Sequence, residues 1–208
     1  MDKHALWLTG LLAVGLAFLD AKTIEVFTLC IVIAFLSGLA IIAIEIEEKT
    51  LCSAYCGISL SNIKIPPSPE WLQKKLRAIG LNPINNVVDA TNFVMRELGT
   101  PIHAFDTAFL NGKISVKKAA KDQNFKTLDG IERKLSGEEL MISNGKENLC
   151  IAGVLGGVFS SVSAETTSVF LESAVFDAVS VRKTARAHSL NTDASFRFER
   201  GVDPELTL

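Results

Sequence analysis

Charged and apolar residues are unevenly divided along this chain. Ala5 to Leu19 runs 15 residues without a charge and Val26 to Ile44 runs 19, with Asp20, Lys22 and Glu25 between them. An apolar run of about 18 or more residues is long enough to cross hydrocarbon as a helix. The second run therefore predicts a candidate transmembrane helix. The first is shorter, and fits a signal-like segment, a tilted span or one arm of a helical hairpin. No small-residue cleavage site follows it, and the flanking charges are too balanced to set an orientation.

From Glu45 the pattern changes. "IEIEEKTLCSAYCGISLSNIKI" alternates and is rich in β-branched residues, which predicts strands near 44–50 and 54–65. "PPSPEWLQKKLRAIG" carries helix punctuation: Ser68 as N-cap, Pro69 at the first helical position and Gly80 as a left-handed stop. Leu72, Leu76 and Ile79 form its apolar stripe. A second helix is predicted over about 86–98, with Val87, Thr91, Val94 and Leu98 on one side and Gly99 and Pro101 ending it. "TPIHAFD" then reads as a proline-bent loop around His103.

Beyond that loop the chain is mainly β. "KISVKKA" predicts a strand, Asp129-Gly130 a two-residue hairpin turn between "NFKTL" and "IERKL", and Asn144-Gly145 a second such turn between "ELMIS" and "ENLCIAG". "SVFLESAVF" is an apolar strand with one acid, Glu172. Asp177 caps a third helix over roughly 178–188, with Phe176 and Val181 spaced as a hydrophobic staple. Residues 45–208 number 164, enough for one sizeable core. The predicted class is α+β: a β-rich core with flanking helices, preceded by one or two apolar N-terminal helices. The domain division is an apolar segment over 1–44 and a globular domain over 45–208.

Composition adds three constraints. The net charge of −2 over 208 residues gives no basic excess, so a general polyanion binder is excluded. The mean hydropathy of +0.30 reflects the front of the chain rather than an unusual core. Cys52 and Cys56 have three residues between them, no zinc-knuckle spacing, and Cys30 and Cys150 supply no second pair. The four read as reduced, partly buried thiols.

Four places break the rules of their surroundings. His103 is either a hydrogen-bonded structural residue or a catalyst. In "IAGVLGGVFSSV", Gly153, Gly156 and Gly157 allow close approach, either of sheet to sheet or of backbone N–H groups to an anion or carbonyl. Glu172 is a carboxyl in an apolar strand, costly to bury alone. It must pair with an arginine such as Arg197 or Arg200, or face a pocket that needs an acceptor. In "NTDASFRFERGVDP", an extended backbone would put Thr192 and Ala194 on one side of a pocket. The alternative is a turn held by ion pairs among Arg197, Glu199, Arg200 and Asp203. The third helix also carries Arg182, Lys183, Arg186 and His188, either a phosphate-touching patch or a solvated face. No nucleophile with a matched base, no phosphate loop with lysine and no paired zinc histidines are found.

"VVDATNFVMRELGTPIHAFD", "LDGIERKL", "IAGVLGG", "LESAVF" and "NTDASFRFERGVDP" follow one another in an order and spacing that resemble the editing domain of the bacterial phenylalanine–tRNA ligase β subunit. The likeness covers about Glu45 to Pro204. It implies a hydrolase that removes tyrosine wrongly esterified to phenylalanine tRNA, or else a non-catalytic structural or RNA-positioning module, or an inactive gene fragment. By the same resemblance Glu172 accepts a hydrogen bond from the tyrosine hydroxyl, while His103 and Thr192 surround the ester and terminal adenosine as catalytic residues. Ala194 and Gly156 keep the pocket open, and Gly153 belongs to the substrate-facing glycine turn. Asn82 stands where the family often has arginine, which departs from the pattern at a substrate contact. Arg182, Lys183 and Arg186 become candidate RNA contacts. No metal site and no cofactor are implied for this domain, ATP and magnesium serving an aminoacylation module whose motifs are absent from this sequence. The implied partners are tRNA and the ligase α subunit, with a membrane as a further partner if residues 5–44 are a genuine span. The implied location is the cytoplasm, membrane-tethered in that same case.

The chemistry fits the resemblance. Tyrosine and phenylalanine differ by one hydroxyl, and an apolar pocket rejects an added hydroxyl only weakly. A second site built around an acceptor demands it instead, since phenylalanine leaves that acceptor unpaired at a cost of roughly 1–3 kcal/mol. An ester is already activated, so a positioned water and polarising donors suffice without a covalent nucleophile.

Overall fold

The computed structural model of the chain describes residues 42–207. The apolar runs up to residue 41 lie outside them. Ala43 and Ile44, the end of the second run, do not continue a helix but open strand β1 (Ala43–Ile46). Among the described residues no helix is long and apolar enough to cross a membrane.

Among the described residues ten strands and four α-helices follow in the order β1, β2 (Cys52–Ser61), α1 (Glu70–Ala78), α2 (Asn86–Leu98), β3 (Ile102–Asp106), β4 (Lys113–Lys118), β5 (Asn124–Lys126), β6 (Glu132–Lys134), β7 (Leu140–Ser143), β8 (Asn148–Ile151), β9 (Leu155–Gly156), β10 (Ser168–Phe176), α3 (Ala178–Ala187) and α4 (Asp193–Phe198). One sheet has the order β1-β4-β7-β8-β9 and another the order β2-β10-β3. In the first, only β1 and β4 run parallel. In the second, both neighbours of β10 are antiparallel to it. All four positions of β7 are buried, as expected for a strand enclosed on both faces. Ile114, Val116, Met141, Ile142, Leu149 and Ile151 form the centre of the core. The α+β class read from the pattern is the observed one.

Both predicted hairpins form, but their connections, residues 127–131 and 144–147, are longer than the two-residue turns expected. Gly130 and Gly145 adopt φ of 80° and 89°, a conformation open to glycine without a Cβ penalty. Asp129 completes the first turn by accepting from Ile131 N and from both Nη atoms of Arg133.

Several local expectations are corrected. Ser68 does not cap α1; Pro69 holds that position with no side-chain bond, and Ser68 Oγ donates to Asp89 Oδ2 instead, at 2.5 Å, tying α1 to α2. Ile79 belongs to no buried stripe, since Gly80 ends the helix beside it and leaves it exposed. In α2 the predicted side is only partly the inward one, with Thr91 placed as expected. Met95 is buried while Leu98 is exposed, and Val88, Thr91 and Asn92 border a cavity. The loop expected around His103 is strand β3, because β10 has a second free edge that "IHAFD" completes. The extended backbone expected over Thr192 to Ser195 stops at Thr192, the N-cap; Asp193 to Ser195 start the short helix α4.

Candidate functional site

Strand β10 lies between two partners, and Glu172 sits at the point where both matter. It is paired with Gly57 of β2 on one side and His103 of β3 on the other. Residues directly opposite one another project to the same face of a sheet, so the carboxyl and the imidazole point the same way. Both border a cavity of about 520 Å³, together with Gly153, Gly156, Thr192 and Ala194. That size is typical of small-molecule pockets. Met95 of α2 and Leu128 of the β5–β6 turn supply apolar wall.

Glu172 is 5% exposed. Its partner is neither Arg197 nor Arg200. Arg197 is spent on the backbone of Met95 and Asp193, and Arg200 lies over the Phe196 ring and donates to Glu199. The group that does reach Glu172 is Tyr55, whose hydroxyl donates to Oε2 at 2.5 Å. Burial pushes the Glu172 pKa up to about 7, and the Tyr55 bond acts in the opposite direction. As with the wall residues Met95 and Leu128, the sequence pattern did not single out Tyr55. The signal was available: it is the only tyrosine in the chain, in a strand whose inner face must be apolar.

His103 is half-buried and stacks edge-on against Phe105 at 4.5 Å. Burial lowers its pKa to about 4, so the ring is neutral at ordinary pH and one nitrogen can accept a proton. Gly156 explains how the ring fits. A Cβ there would come within 2.8 Å of His103 Cε1 and 2.9 Å of Leu128 Cδ1. At Gly153 φ is +69°, and a Cβ would press on Phe198, Phe176 and Val181 at 3.0–3.1 Å. Phe176 and Val181, the expected staple, thus pack under the glycine turn. The N–H groups of Val154 and Gly157 donate to Ile151 and Leu149, so these two are not the free donors that the glycines suggest.

Thr192 caps α4 and closes a reciprocal bond with Ser195: each side chain accepts from the other's backbone N–H at 3.0 Å. Its hydroxyl proton goes to Val154 O at 2.7 Å, joining the helix to the glycine turn. Ala194, next on the helix, contributes a methyl to the cavity. The turn of ion pairs expected further on is only partly present. Asp193 pairs with Arg96 of α2 at 2.6 Å and Arg197 at 3.6 Å, while Asp203 accepts from Glu205 N.

Two sets of predicted residues lie elsewhere. Asn82 is exposed on the loop before α2 and does not line the cavity. Arg182, Lys183 and Arg186 are exposed on α3. Lys183 borders a separate cleft of about 410 Å³ beside Glu138 and Glu139. Among the described residues Cys52, Cys56 and Cys150 are free, and no cluster of three metal-ligating side chains occurs.

The cavity can therefore do one thing well. It can surround an aromatic side chain with apolar wall, offer a hydroxyl one buried acceptor, and hold a neutral imidazole nearby. Comparison with known proteins places the chain in a family. Residues 51–208 match the model of the B3/4 domain. The chain is similar to the phenylalanine–tRNA ligase β subunit of Porphyromonas gingivalis, 53% identical over 169 residues, or 80% of this chain and 20% of that protein. It is 52% identical over 168 residues to the corresponding subunit of Bdellovibrio bacteriovorus, again 80% of this chain but 21% of the relative. The chain thus spans about one fifth of the length of the curated relatives it matches. An N-terminal fragment of the phenylalanyl-tRNA synthetase β subunit from Pyrococcus horikoshii aligns at 14% identity and a TM-score of 0.47, over 69% of this chain and 48% of that one, too slight a likeness to carry an argument.

Proposed function

This chain belongs to the B3/4 domain family, and we propose that it acts as a proofreading module of phenylalanine–tRNA ligase, hydrolysing tyrosine esterified to phenylalanine tRNA. One observation carries the proposal: a buried carboxyl, Glu172, borders the cavity with a phenol and, among the described residues, no cation as its partner. The side chain of a tyrosyl ester enters with its hydroxyl toward Glu172 and its ring against Met95 and Leu128. A phenylalanyl ester leaves the acceptor desolvated and unpaired.

Water attacks the ester carbonyl carbon. The neutral His103 ring takes a proton from that water and returns it to the departing ribose oxygen, so the products are free tyrosine and uncharged tRNA. Gly156 keeps the ring and the carbonyl close by having no side chain. Thr192, its own proton committed to Val154 O, positions the two walls and offers a remaining lone pair toward the ester or the adenosine. No cofactor enters this reaction; ATP and magnesium would serve the separate aminoacylation step. In the assembled ligase the partners would be tRNA, touched by Arg182, Lys183 and Arg186, and the α subunit.

The test is deacylation of phenylalanine tRNA charged with tyrosine or with phenylalanine. Hydrolysis of the tyrosyl ester with little loss of the phenylalanyl ester supports proofreading. The second reading, a module that positions RNA without hydrolysis, is favoured by the commitment of the Thr192 proton and by the surface position of Asn82. It requires that neither ester be cleaved above background while tRNA still binds.

A further inference from the structure

The phenol of Tyr55 copies, inside the protein, the group that the substrate would bring. Tyr55 is 8% exposed and does not border the cavity, whereas Glu172 does. The two residues lie on adjacent strands, with Tyr55 paired to Ala174 and Glu172 to Gly57 in an antiparallel register. Tyr55 is thus one alternate position along the same face. Its hydroxyl meets Glu172 Oε2 at 2.5 Å from the packed side of the strand. Among the described residues, Oε1 has no hydrogen-bond partner. A carboxylate offers about four acceptor positions on its two oxygens, so one bond from Tyr55 leaves capacity for another phenol. It also stops the group from turning end for end.

From this geometry we propose that Tyr55 is the positioning residue for selectivity: its buried hydroxyl holds Glu172 Oε2 from behind and leaves Oε1 as the atom offered to a substrate hydroxyl. The proposal rests on the proofreading function above. Gly57 and Phe170 make the arrangement rigid. A Cβ at Gly57 would overlap the Phe170 ring, so the ring packs over bare backbone beside Glu172. Loss of the Tyr55 bond would remove the contact that favours the charged carboxylate, in a site where burial already favours the protonated form. A protonated carboxyl can itself donate to solvent or to a carbonyl, and its penalty for meeting phenylalanine is smaller than that of an ion.

Because Tyr55 is the chain's single tyrosine, growth on 3-fluorotyrosine labels this position alone. The full chain so labelled should give one fluorine resonance that moves with pH near neutrality, following Glu172, and that loses this movement in Glu172→Gln. A resonance insensitive to pH between 5 and 9, about two decades either side of neutral, overturns the proposal whether or not any ester is cleaved. In deacylation, Tyr55→Phe should lower the tyrosyl to phenylalanyl ratio of kcat/KM by about tenfold or more near neutral pH, with recovery at higher pH. In the Glu172→Gln background the same change should leave the ratio where it is. An equal effect in both backgrounds, or equal loss on both esters, overturns the role of Tyr55. Absence of hydrolysis by the unsubstituted chain would count against proofreading, while the fluorine titration would still decide whether Tyr55 holds the carboxyl.

Discussion

His103 and Glu172 are direct cross-strand partners on β3 and β10, and both face one cavity. A base that stays neutral and an acid that stays largely protonated below neutrality therefore share a wall. Their protonation states move in different pH ranges, which separates their contributions experimentally.

His103 gives the first prediction. His103→Ala should lower hydrolysis of tyrosyl and phenylalanyl esters alike by roughly a hundredfold, the usual share of one acid–base group, as measured by single-turnover deacylation. Because burial holds its pKa at about 4, no histidine-type loss of rate should appear as the pH falls from 7 to about 5. The unfolded chain protonates this ring from about 6.5 downward, so His103 withdraws stability as pH falls through that window.

Glu172 has the opposite sign. Its folded pKa of about 7 lies above its ordinary value of 4.5, so the folded state binds the proton more tightly. Its contribution is fully present below about 4.5 and is lost as pH rises to about 7. Glu172→Gln should therefore gain stability over the parent at pH 8, by at most about 3.4 kcal/mol, and little at pH 4.5. Urea unfolding at the two pH values measures it. In activity, Glu172→Ala should erase the preference for tyrosine; equal loss on both esters would contradict the selector role.

The glycine turn and α4 set how much space the ester has. Gly156→Ala puts a methyl within 2.8 Å of the His103 ring. It should cost activity at least tenfold, because a misplacement of about 1 Å is enough to spoil a reacting geometry. Ala194→Trp should fill the cavity and stop turnover. In both variants the denaturant midpoint measures the effect on the fold separately from the rate, and an unaffected Ala194→Trp rate would remove Ala194 from the pocket wall.

A structural carboxyl offers a control. Glu139 is 2% exposed and accepts from the N–H groups of Ser136 and Gly137 and from His188 Nε2. Burial alone would raise its pKa, yet these donors bring it down to about 2. Its stabilisation is present above about 4.5 and is lost as pH falls toward 2. Glu139→Ala should cost roughly 2–4 kcal/mol at pH 7 by leaving those donors unpaired, with the difference shrinking in acid. Calorimetry across that range tests it.

The exposed cations of α3 make an electrostatic prediction. Replacing Arg182, Lys183 and Arg186 together with alanine should weaken tRNA binding. It should also flatten the dependence of log affinity on log salt by about two to three, close to one for each phosphate no longer neutralised. Filter binding over a salt series gives the slope. An unchanged slope would make the patch a solvated face.

Much of the architecture was legible from pattern alone, and the exceptions share a cause. The apolar run of "SVFLESAVF" and the glycines at the two turns are local signals, and they survive in β10 and the hairpins. β3 is five residues long, follows Pro101 and owes its strand state to pairing with β10, which begins only at Ser168. α4 is six residues and carries its own signal in the reciprocal Thr192–Ser195 cap, but its predicted extended form hid it. In α2 Thr91 lies on the side expected, but Val88, Asn92 and Met95 join it in place of Leu98, because polar Asn92 faces a cavity rather than solvent. At the site, Glu172 and Gly156 stood out as exceptions to their elements. Tyr55 did not, since a tyrosine in a strand breaks no local rule.

The single hydroxyl of Thr192 touches Val154, 38 positions away in sequence, and also starts α4. Fraying of that short helix would release the glycine turn in the same event. The two segments thus form one cooperative opening unit, of the kind hydrogen exchange resolves, and the cavity is dismantled as a whole rather than wall by wall.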